Sequence, residues 1–363
     1  MKKILLNIAL LFLLIGCGRQ QEIRLSSPDS IHSRTDLFVF GPVQVNMRGV
    51  ECTEEFQDSR CDLMELAFDK LYDMETRFTV NQIGGEVETI NEMAGIKAVE
   101  VAEDTFYMIS RSVEYSLSSD RLFNVAIGPL IKLWNIGMPG TRRPSEEEIA
   151  YALEMINPEY IDLNYDEKTV FLRYEGMRLD LGGVAKGFMA DEIVRFLMEN
   201  GVEHGFLRVG GELVAFGGQP DGRPFRFGIA NPFFDDDSWS SNQDLVAVLP
   251  VYDQAMVTSG TYNRFFANQD TMTIYHHMFD SRTGFPFETD IISLTVIAPT
   301  GLLGEVYTKV LYGMSIEEGI NFVENHAEIE VVMITLDKEI FISNGLVDSF
   351  DLLLPEHFTI ITQ

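Results

Sequence analysis

Residues 178–201 read RLDLGGVAKGFMADEIVRFLMENG, in which a short extended segment is followed by two glycines and the start of a helix. The helix has one apolar face, formed by Ala190, Ile193, Val194 and Leu197. Gly201 is its stop signal. A strand that leads through glycines into a helix is suited to phosphate, because a ligand can approach the backbone closely and the first helical N–H groups point outward.

Lys186 adds a positive charge at the start of this helix. The stretch therefore predicts a site for a phosphate-bearing ligand. It is not a P-loop, since the P-loop spacing from Gly to Gly-Lys-Ser/Thr is absent. Glycines that serve only to pack the helix against its neighbours are the alternative interpretation.

The rest of the chain alternates helix and strand patterns without a strict βαβ rhythm. Apolar steps of three and four predict a helix over residues 62–78, and capping boxes at residues 145–148 and 315–318 predict the starts of two more. Strand-like runs occur at Val246–Pro250, Ile292–Ala298, Val331–Thr335 and Glu339–Ser343. The pattern favours a mixed α+β fold over a doubly wound sheet.

The composition excludes some classes of protein. The chain has 363 residues, with 27 Lys and Arg against 56 Asp and Glu, so that its formal net charge is −29. Binding to nucleic acid or to an anionic membrane surface needs a basic face, which argues against both classes. One small anionic ligand is still compatible, because backbone N–H groups, Lys186 and a divalent cation can hold it locally.

The N-terminus has the pattern of a secretory signal. Two lysines precede an apolar run over residues 4–15, which is too short to span a bilayer comfortably. The letters LIGC at residues 14–17 resemble a bacterial lipobox, and this resemblance implies cleavage before Cys17 and a lipid on its thiol. A buried hydrophobic helix with an unrelated Cys is the alternative.

We accordingly expect a lipoprotein signal peptide at residues 1–16, a lipidated Cys with a polar tether at residues 17–36, and a folded catalytic unit at residues 37–363. The mature protein is expected in the cell envelope, facing the periplasm and anchored to a membrane through Cys17. Outside the cytoplasm, Cys52 and Cys61 can form a disulfide, with two free thiols as the alternative.

Two further clusters carry candidate ligand groups. TSGTYNR at residues 258–264 and HHMFDSRTGFP at residues 276–286 contain hydroxyls, arginines and turn glycines. His277 could act as a general base near neutral pH, or form a metal-binding pair with Asp280. A histidine with only a structural role in the core or a turn is the third interpretation.

Five motifs together resemble the ApbE family of flavin transferases, which act on FAD. They are FNVAIGPLIKLW (123–134), DLGGVAKG (180–187), RVGGELVAFG (208–217), TSGTYNR (258–264) and HMFDSRTGFP (277–286). Their order and spacing fit the family over residues 38–353. The resemblance implies one compact unit of mainly antiparallel sheets with flanking helices, and it agrees with the lipobox, since many members are envelope lipoproteins.

The resemblance also implies a chemistry. Members cleave FAD with Mg²⁺, transfer FMN to a Ser or Thr hydroxyl of a target flavoprotein, often in an envelope redox complex, and release AMP. The implied catalytic residues are Asp180, Lys186 and His277. The implied metal ligands are Gly183, Glu305 and Thr308. The implied FAD contacts are Met47, Asn81, Leu122, Phe123, Asn124, Asp180, Lys186, His277 and Met278.

Four positions depart from the family pattern. The metal-binding Asp four residues before Thr308 is replaced by Gly304, so we expect Glu305 to supply the carboxylate. Asn124 stands in place of an Asp, and Met47 matches its motif only loosely. Asn81 stands where members usually place a Tyr that covers the cofactor. Losing that cover is expected to weaken FAD retention and to favour hydrolysis to FMN and AMP.

The sequence therefore predicts a Mg²⁺-dependent FAD:protein FMN transferase that also hydrolyses FAD. The alternative is a non-catalytic lipoprotein that binds or delivers FAD, its metal site damaged at Gly304. A purely structural lipoprotein is a third class, and it would require all five motif matches to be accidental.

Overall fold

The computed structural model describes residues 26–39, 41–80, 84–233, 244–262, 264–268 and 272–361. The helices in this part of the chain are α1 (Leu63–Phe78), α2 (Glu86–Glu92), α3 (Glu103–Ser118), α4 (Gly128–Trp134), α5 (Glu146–Glu154), α6 (Ala185–Glu199), α7 (Gly301–Tyr312) and α8 (Ile316–Glu324). Short 3₁₀ turns lie at Pro158–Tyr160 and Asn344–Leu346.

The strands of the first half of the fold are β1 (Ile31–Phe38), β2 (Gly41–Arg48), β3 (Val99–Glu100), β4 (Ile161–Asn164), β5 (Thr169–Leu172), β6 (His204–Val209), β7 (Glu212–Phe216), β8 (Phe225–Ala230) and β9 (Leu245–Val251). Those of the second half are β10 (Ala255–Gly260), β11 (Phe265–Asn268), β12 (Thr273–His276), β13 (Phe279–Asp280), β14 (Phe285–Pro286), β15 (Ile291–Ala298), β16 (Glu330–Thr335), β17 (Glu339–Ile342), β18 (Asp351–Leu352) and β19 (Thr359–Ile361).

The central element is a nine-stranded sheet with the order β1-β2-β6-β7-β10-β15-β16-β17-β19. Its neighbouring strands are antiparallel, except that β17 and β19 run parallel. A second sheet has the order β18-β9-β8. This mixture of helices and mainly antiparallel sheets confirms the predicted α+β class.

Residues of the central strands alternate between two cores, because successive side chains of a strand point to opposite faces. On β16, Val331 and Met333 pack into the larger core beneath the helices, whereas Val332 and Ile334 pack against the β8–β9–β18 sheet. All eight residues of β15 are buried, as expected for a strand covered on both faces. The molecule thus has a helical layer, a central sheet and a smaller sheet.

Helices α6 and α7 lie side by side on the central sheet and cross at two glycines. A Cβ atom at Gly187 would lie 2.3 Å from the carbonyl oxygen of Gly301, so only glycine permits this approach. The Asp191 carboxylate of α6 accepts hydrogen bonds from the N–H groups of Gly301 and Leu302, at 2.6 and 2.9 Å. The start of α7 is therefore tied to α6.

Most local predictions are confirmed. The helix over residues 62–78, the helix that ends before Gly201 and both capping boxes are present, and the four strand-like runs are strands β9, β15, β16 and β17. One boundary is wrong. The tether was expected to reach residue 36, but β1 begins at Ile31 and pairs along its whole length with β2.

Cys52 and Cys61 form a disulfide, so the first of the two alternatives is confirmed. The predicted signal peptide (residues 1–16), the predicted lipidation site Cys17 and Asn81 lie outside the described residues. Among the residues that are described, no helix has the length and apolar character needed to cross a membrane.

Candidate functional site

The five sequence motifs meet in one region. The N–H of Asp180 donates to the carbonyl of Val125 at 3.0 Å, which joins the DLGGVAKG and FNVAIGPLIKLW segments. A Cβ built on Gly183 would lie 3.8 Å from the ring of Phe123. Lys186 is bonded to Glu212 of the RVGGELVAFG segment. These contacts bring together residues that are far apart in sequence.

The centre of the region is a cluster of two lysines and two glutamates. The ammonium group of Lys186, in the first turn of α6, donates to Glu212 on β7 and, at 3.0 Å, to Oε1 of Glu305 on α7. The ammonium group of Lys309, one helical turn beyond Glu305, donates to Oε2 of the same carboxylate. Each oxygen of Glu305 therefore has an ammonium partner.

The four side chains differ in exposure. The Glu305 side chain is 0% exposed and that of Glu212 is 5% exposed, whereas Lys186 and Lys309 are 23% and 20% exposed. The carboxylates are thus the buried members of the cluster, and the lysine side chains are partly exposed.

Burial and the neighbouring charges shift the pKa values of three side chains in the cluster. Burial alone would raise the pKa of Glu305, but the ammonium groups of Lys186 and Lys309 hold it well below its usual value. Burial and the neighbouring Glu305 carboxylate raise the pKa of Glu212 above its usual value. Although burial would lower the pKa of Lys186, Glu305 and Glu212 raise it. The cluster therefore favours the charged form of Lys186 and the ionised form of Glu305.

The loop before α6 is shaped by Asp180. Its Oδ1 accepts a hydrogen bond from the N–H of Gly182 at 2.8 Å, which orients the double glycine at the start of the helix. Burial raises the pKa of Asp180, with the Gly182 hydrogen bond opposing this effect. The predicted role of Asp180 in the FAD site is consistent with this position, since it arranges the segment that carries Lys186.

Thr308 is 0% exposed, and its hydroxyl is engaged within the protein. It donates to the carbonyl of Glu305 at 2.8 Å and accepts from the Ser259 hydroxyl at 3.1 Å. Tyr312 in turn donates to the carbonyl of Ser259 at 2.8 Å. These contacts place the TSGTYNR segment beside α7, next to the cluster.

The loop around His277 lies at the same site. Its Nδ1 lies 3.2 Å from the carbonyl oxygen of Arg264, which selects the tautomer with a proton on Nδ1 and leaves Nε2 free to accept one. Burial lowers the pKa of His277 to about 4, and the nearby charges of Arg264 and Lys309 act in the same direction. The imidazole is therefore neutral near pH 7.

Trp134 holds this loop in place. Its indole N–H donates to the carbonyl of Gly284 at 3.0 Å, and its ring packs against Phe279 and Phe285. The first and last sequence motifs are thus connected through α4. Asp280, the alternative metal partner of His277, instead binds the guanidinium of Arg282 at 2.8–2.9 Å, so a His277–Asp280 metal pair has no support.

Some of the residues predicted to contact the flavin lie at the site, and Met47 lies in the core. Leu122, Phe123 and Met278 are buried at the site, and the N–H of Phe287 donates to the carbonyl of Met278 at 3.0 Å. Met47 is 0% exposed on β2, so its side chain belongs to the core. Its predicted contact with the flavin through the side chain is not supported by this position.

Asn124 also differs from the prediction. Its side-chain N–H donates to the carbonyl of Ile156 at 2.8 Å, and its Oδ1 accepts from the N–H of Ala126 at 2.9 Å. Both polar groups of the amide are used inside the protein, and the side chain is 5% exposed. Asn124 therefore stabilises the loop, and its contact with FAD stays a prediction.

The predicted Mg²⁺ ligands do not fit a magnesium ion as they are arranged. Mg²⁺ requires six oxygen ligands in near-octahedral geometry. Both Glu305 oxygens are bound by lysines, and the Thr308 hydroxyl has two partners. Within the described cluster of Lys186, Lys309, Glu305 and Glu212, the buried oxygen without a partner is Oε2 of Glu212. The described residues also contain no group of three or more His, Cys, Asp or Glu placed to hold a metal ion.

Glu212 and Lys309 are the two site residues that sequence reasoning missed. Glu212 lay within a quoted motif, directly after two glycines, but an acidic residue at the start of a strand gives no signal of burial. Lys309 follows Glu305 by four residues, which is the spacing of a helical ion pair. This spacing is the sequence feature from which Lys309 could have been predicted as a partner of Glu305.

The chain was compared with known proteins. The model of the ApbE family matches residues 43–333. A relative from Klebsiella pneumoniae (strain 342), named FAD:protein FMN transferase, is 34% identical over 270 residues, which cover 74% of this chain and 81% of the relative. A relative of the same name from Treponema pallidum (strain Nichols) is 28% identical over 298 residues, covering 78% of this chain and 80% of the relative.

Solved structures have the same fold. The ApbE protein from Thermotoga maritima superposes with a TM-score of 0.75 at 22% sequence identity, covering 87% of this chain and 98% of that one. The apo form of the flavinyl transferase ApbE from Pseudomonas stutzeri gives a TM-score of 0.74 at 20% identity, covering 89% and 97%. At these identities the likeness shows the fold, which agrees with the sequence prediction.

Proposed function

Because the chain belongs to the ApbE family, we propose that it transfers FMN from FAD to a Ser or Thr hydroxyl of a target flavoprotein and releases AMP. The observation that carries this proposal is that the ammonium groups of Lys186 and Lys309 meet on one carboxylate, with the neutral imidazole of His277 close enough to feel the charge of Lys309. Such a site can hold a pyrophosphate and accept a proton.

The lysines would bind the phosphates. Lys186 lies in the first turn of α6, where the helix dipole also favours negative charge, and Lys309 reaches the same place from α7. Positive groups that are already in position stabilise the charge that develops on the phosphate oxygens during cleavage. The site therefore brings two positively charged groups together on a strongly acidic chain.

His277 would be the general base. The acceptor oxygen forms a bond to the phosphorus of the FMN half, the bridging P–O bond breaks, and AMP leaves with the bridging oxygen. The proton of the acceptor hydroxyl passes to Nε2 of His277, which is free because Nδ1 is held by the Arg264 carbonyl. If water takes the place of the hydroxyl, the same step hydrolyses FAD to FMN and AMP.

Hydrolysis is the second part of the proposal. Asn81 lacks the ring that family members use to cover the cofactor, so water is expected to reach the bound FAD more easily. Replacing Asn81→Tyr is expected to lower AMP release in the absence of an acceptor and to strengthen FAD retention. No step of this mechanism uses the Mg²⁺ predicted from the sequence, because the ligand set does not fit the ion.

We further propose that the protein acts in the cell envelope, held to a membrane by a lipid on Cys17 and facing the periplasm. The lipobox resemblance supports this location, and the Cys52–Cys61 disulfide is consistent with an oxidising compartment. Its targets would then be envelope flavoproteins, including redox complexes, that present a Ser or Thr acceptor.

The test uses the full chain, FAD and a flavoprotein domain with a Ser or Thr acceptor. We expect AMP in the solution and a gain of one FMN in the mass of the acceptor. Lys186→Met is expected to lower AMP release by about a hundredfold or more, as is typical when a charge-stabilising group is removed. FAD binding without any AMP, with or without Mg²⁺, would instead support the alternative of a non-catalytic flavin-binding lipoprotein.

A further inference from the structure

We infer that the ammonium group of Lys309 takes the place of a divalent cation, so that this chain binds the pyrophosphate of FAD without metal. The inference rests on the proposed use of FAD as substrate. It begins from the mismatch between the predicted Mg²⁺ ligands and the side chains that occupy their positions.

The first observation concerns Gly304, where the family pattern places a carboxylate. A Cβ atom at this position would lie 2.6 Å from Cγ2 and 3.2 Å from Cβ of Val257, on a strand of the central sheet. Position 304 therefore faces the packed sheet. The carboxylate of this chain comes from Glu305, and it enters the cluster from a different direction.

The second observation is that Lys309 reaches the predicted metal position. Its Cε lies 3.5 Å from the place where a Cβ on Gly183 would stand, and Gly183 is the residue whose carbonyl the resemblance implies as a ligand. Its ammonium group is bonded to Glu305, the other implied ligand. Lys309 thus occupies the space between two of the three predicted ligands.

The third observation is the order of charges from the inside outward. Glu305 is 0% exposed, whereas Lys309 and Lys186 are 20% and 23% exposed. In a metal site the carboxylates would have to face the ion, but here they face ammonium groups. Two ammonium groups carry the same total charge as one divalent ion, and the lysine side chains are the partly exposed members of the cluster.

A divalent ion would have to displace Lys309 from Glu305 to enter. Once the ammonium group of Lys309 is removed, it and the fully buried carboxylate of Glu305 both need new partners. Leaving either charge unpaired in the protein interior costs free energy. Mg²⁺ also gives up its waters reluctantly. The arrangement is therefore suited to bind an anion directly.

The test measures FAD binding by fluorescence on the full chain, in EDTA and in Mg²⁺, together with AMP release. The variants are Lys309→Met, Lys309→Arg, the charge-balanced double variant Lys309→Met/Glu305→Gln, and Lys97→Met as a matched control at an exposed position between α2 and β3. The double variant removes both partners, so that no buried charge is left unpaired if Lys309→Met alone fails to fold.

We expect the Kd of the unmodified chain for FAD to change by less than about threefold between EDTA and Mg²⁺, since the ammonium groups supply the charge. In EDTA, Lys309→Met and the double variant should raise Kd by about tenfold or more, and Lys309→Arg and Lys97→Met by much less. This result would support the inference even if no AMP is released, in which case only the proposed function fails.

Two outcomes would overturn the inference. In the first, EDTA weakens FAD binding to the unmodified chain more than tenfold and Mg²⁺ restores it. In the second, binding is independent of metal but the Lys309 variants bind FAD like Lys97→Met. If AMP is released in either case, the proposed function is supported and only the inference about Lys309 fails.

Discussion

The neutral state of His277 depends on its immediate surroundings. Burial lowers the pKa of the ring to about 4, and the carbonyl of Arg264 holds Nδ1. A general base accepts a proton only in its neutral form, which predominates above its pKa. The environment of this one residue therefore sets the acid limit of the proposed reaction.

We expect kcat/KM for AMP release to stay nearly constant between about pH 5.5 and 7, because a group with a pKa of about 4 is more than about nine-tenths neutral throughout this range. An unperturbed imidazole would be about nine-tenths protonated at pH 5.5. The measurement is a pH–rate profile on the full chain with saturating acceptor.

His277→Ala should lower the rate by about 10²–10⁴-fold and remove the acid limb, as expected for loss of a general base. The exposed His357→Ala serves as the control and should keep the profile of the unmodified chain. A limb with a midpoint near pH 6.5 that persists in His277→Ala would show that another group is the base.

The pair of helices α6 and α7 is the element on which the site depends. Lys186 lies on α6, and Glu305, Thr308 and Lys309 lie on α7, so their separation follows from how closely the helices approach. The approach at Gly187 and the capping of α7 by Asp191 fix that distance. Helix packing therefore sets the geometry of the charge cluster.

Gly187→Ala is expected to destabilise the protein by about 1–3 kcal/mol, the usual cost of overpacking a close contact. The added Cβ would meet the Gly301 carbonyl at 2.3 Å, and backbone cannot move aside as a flexible side chain can. The measurements are denaturant unfolding and the Kd for FAD, both of which should worsen.

Met198→Ala is the matched control, because Met198 is an exposed residue of the same helix. It should change stability by less than about 0.5 kcal/mol and leave FAD binding unchanged. Equal effects of the two variants would mean that the glycine contact has no special importance.

At the scale of the whole molecule, the central sheet brings distant segments together. Residues near positions 125, 180, 212, 259 and 305 enter the site from different strands and helices of the larger core. At the edge of this core, where Cys52 packs against it, the disulfide between Cys52 and Cys61 closes the connection between β2 and α1. This bond supports the fold at a place where no site residue lies.

Replacing both cysteines by alanine should lower the free energy of unfolding by about 2–3 kcal/mol, because the unfolded chain loses the constraint of a short closed loop. The pair is separated by 9 residues in sequence. Thermal unfolding with and without reductant checks this value, and AMP release at 25 °C should stay within about twofold of the unmodified chain. A large loss of activity in the folded double variant would contradict the separation of this loop from the site.

Local features were predictable from the sequence because they depend on neighbouring residues. The capping boxes at Ser145 and Ser315 need only a residue three positions away, and the α6 helix needs only its own apolar face and Gly201. The start of β1 was missed because a polar strand at a sheet edge looks like a tether. Its pairing with β2 is what makes it a strand.

The sequence by itself determined the family and the α+β class, and through the family resemblance it predicted Asp180, Lys186 and His277 as site residues, since these follow from motif order and local pattern. Only the tertiary structure decided how Glu305 is used. Whether a carboxylate binds a metal or a lysine depends on which side chains reach it, and Lys186 and Glu212 come from segments far from α7. Helix packing adds Lys186 to the carboxylate that Lys309 reaches from one turn along α7, and our inference that the site binds an anion directly rests on that arrangement.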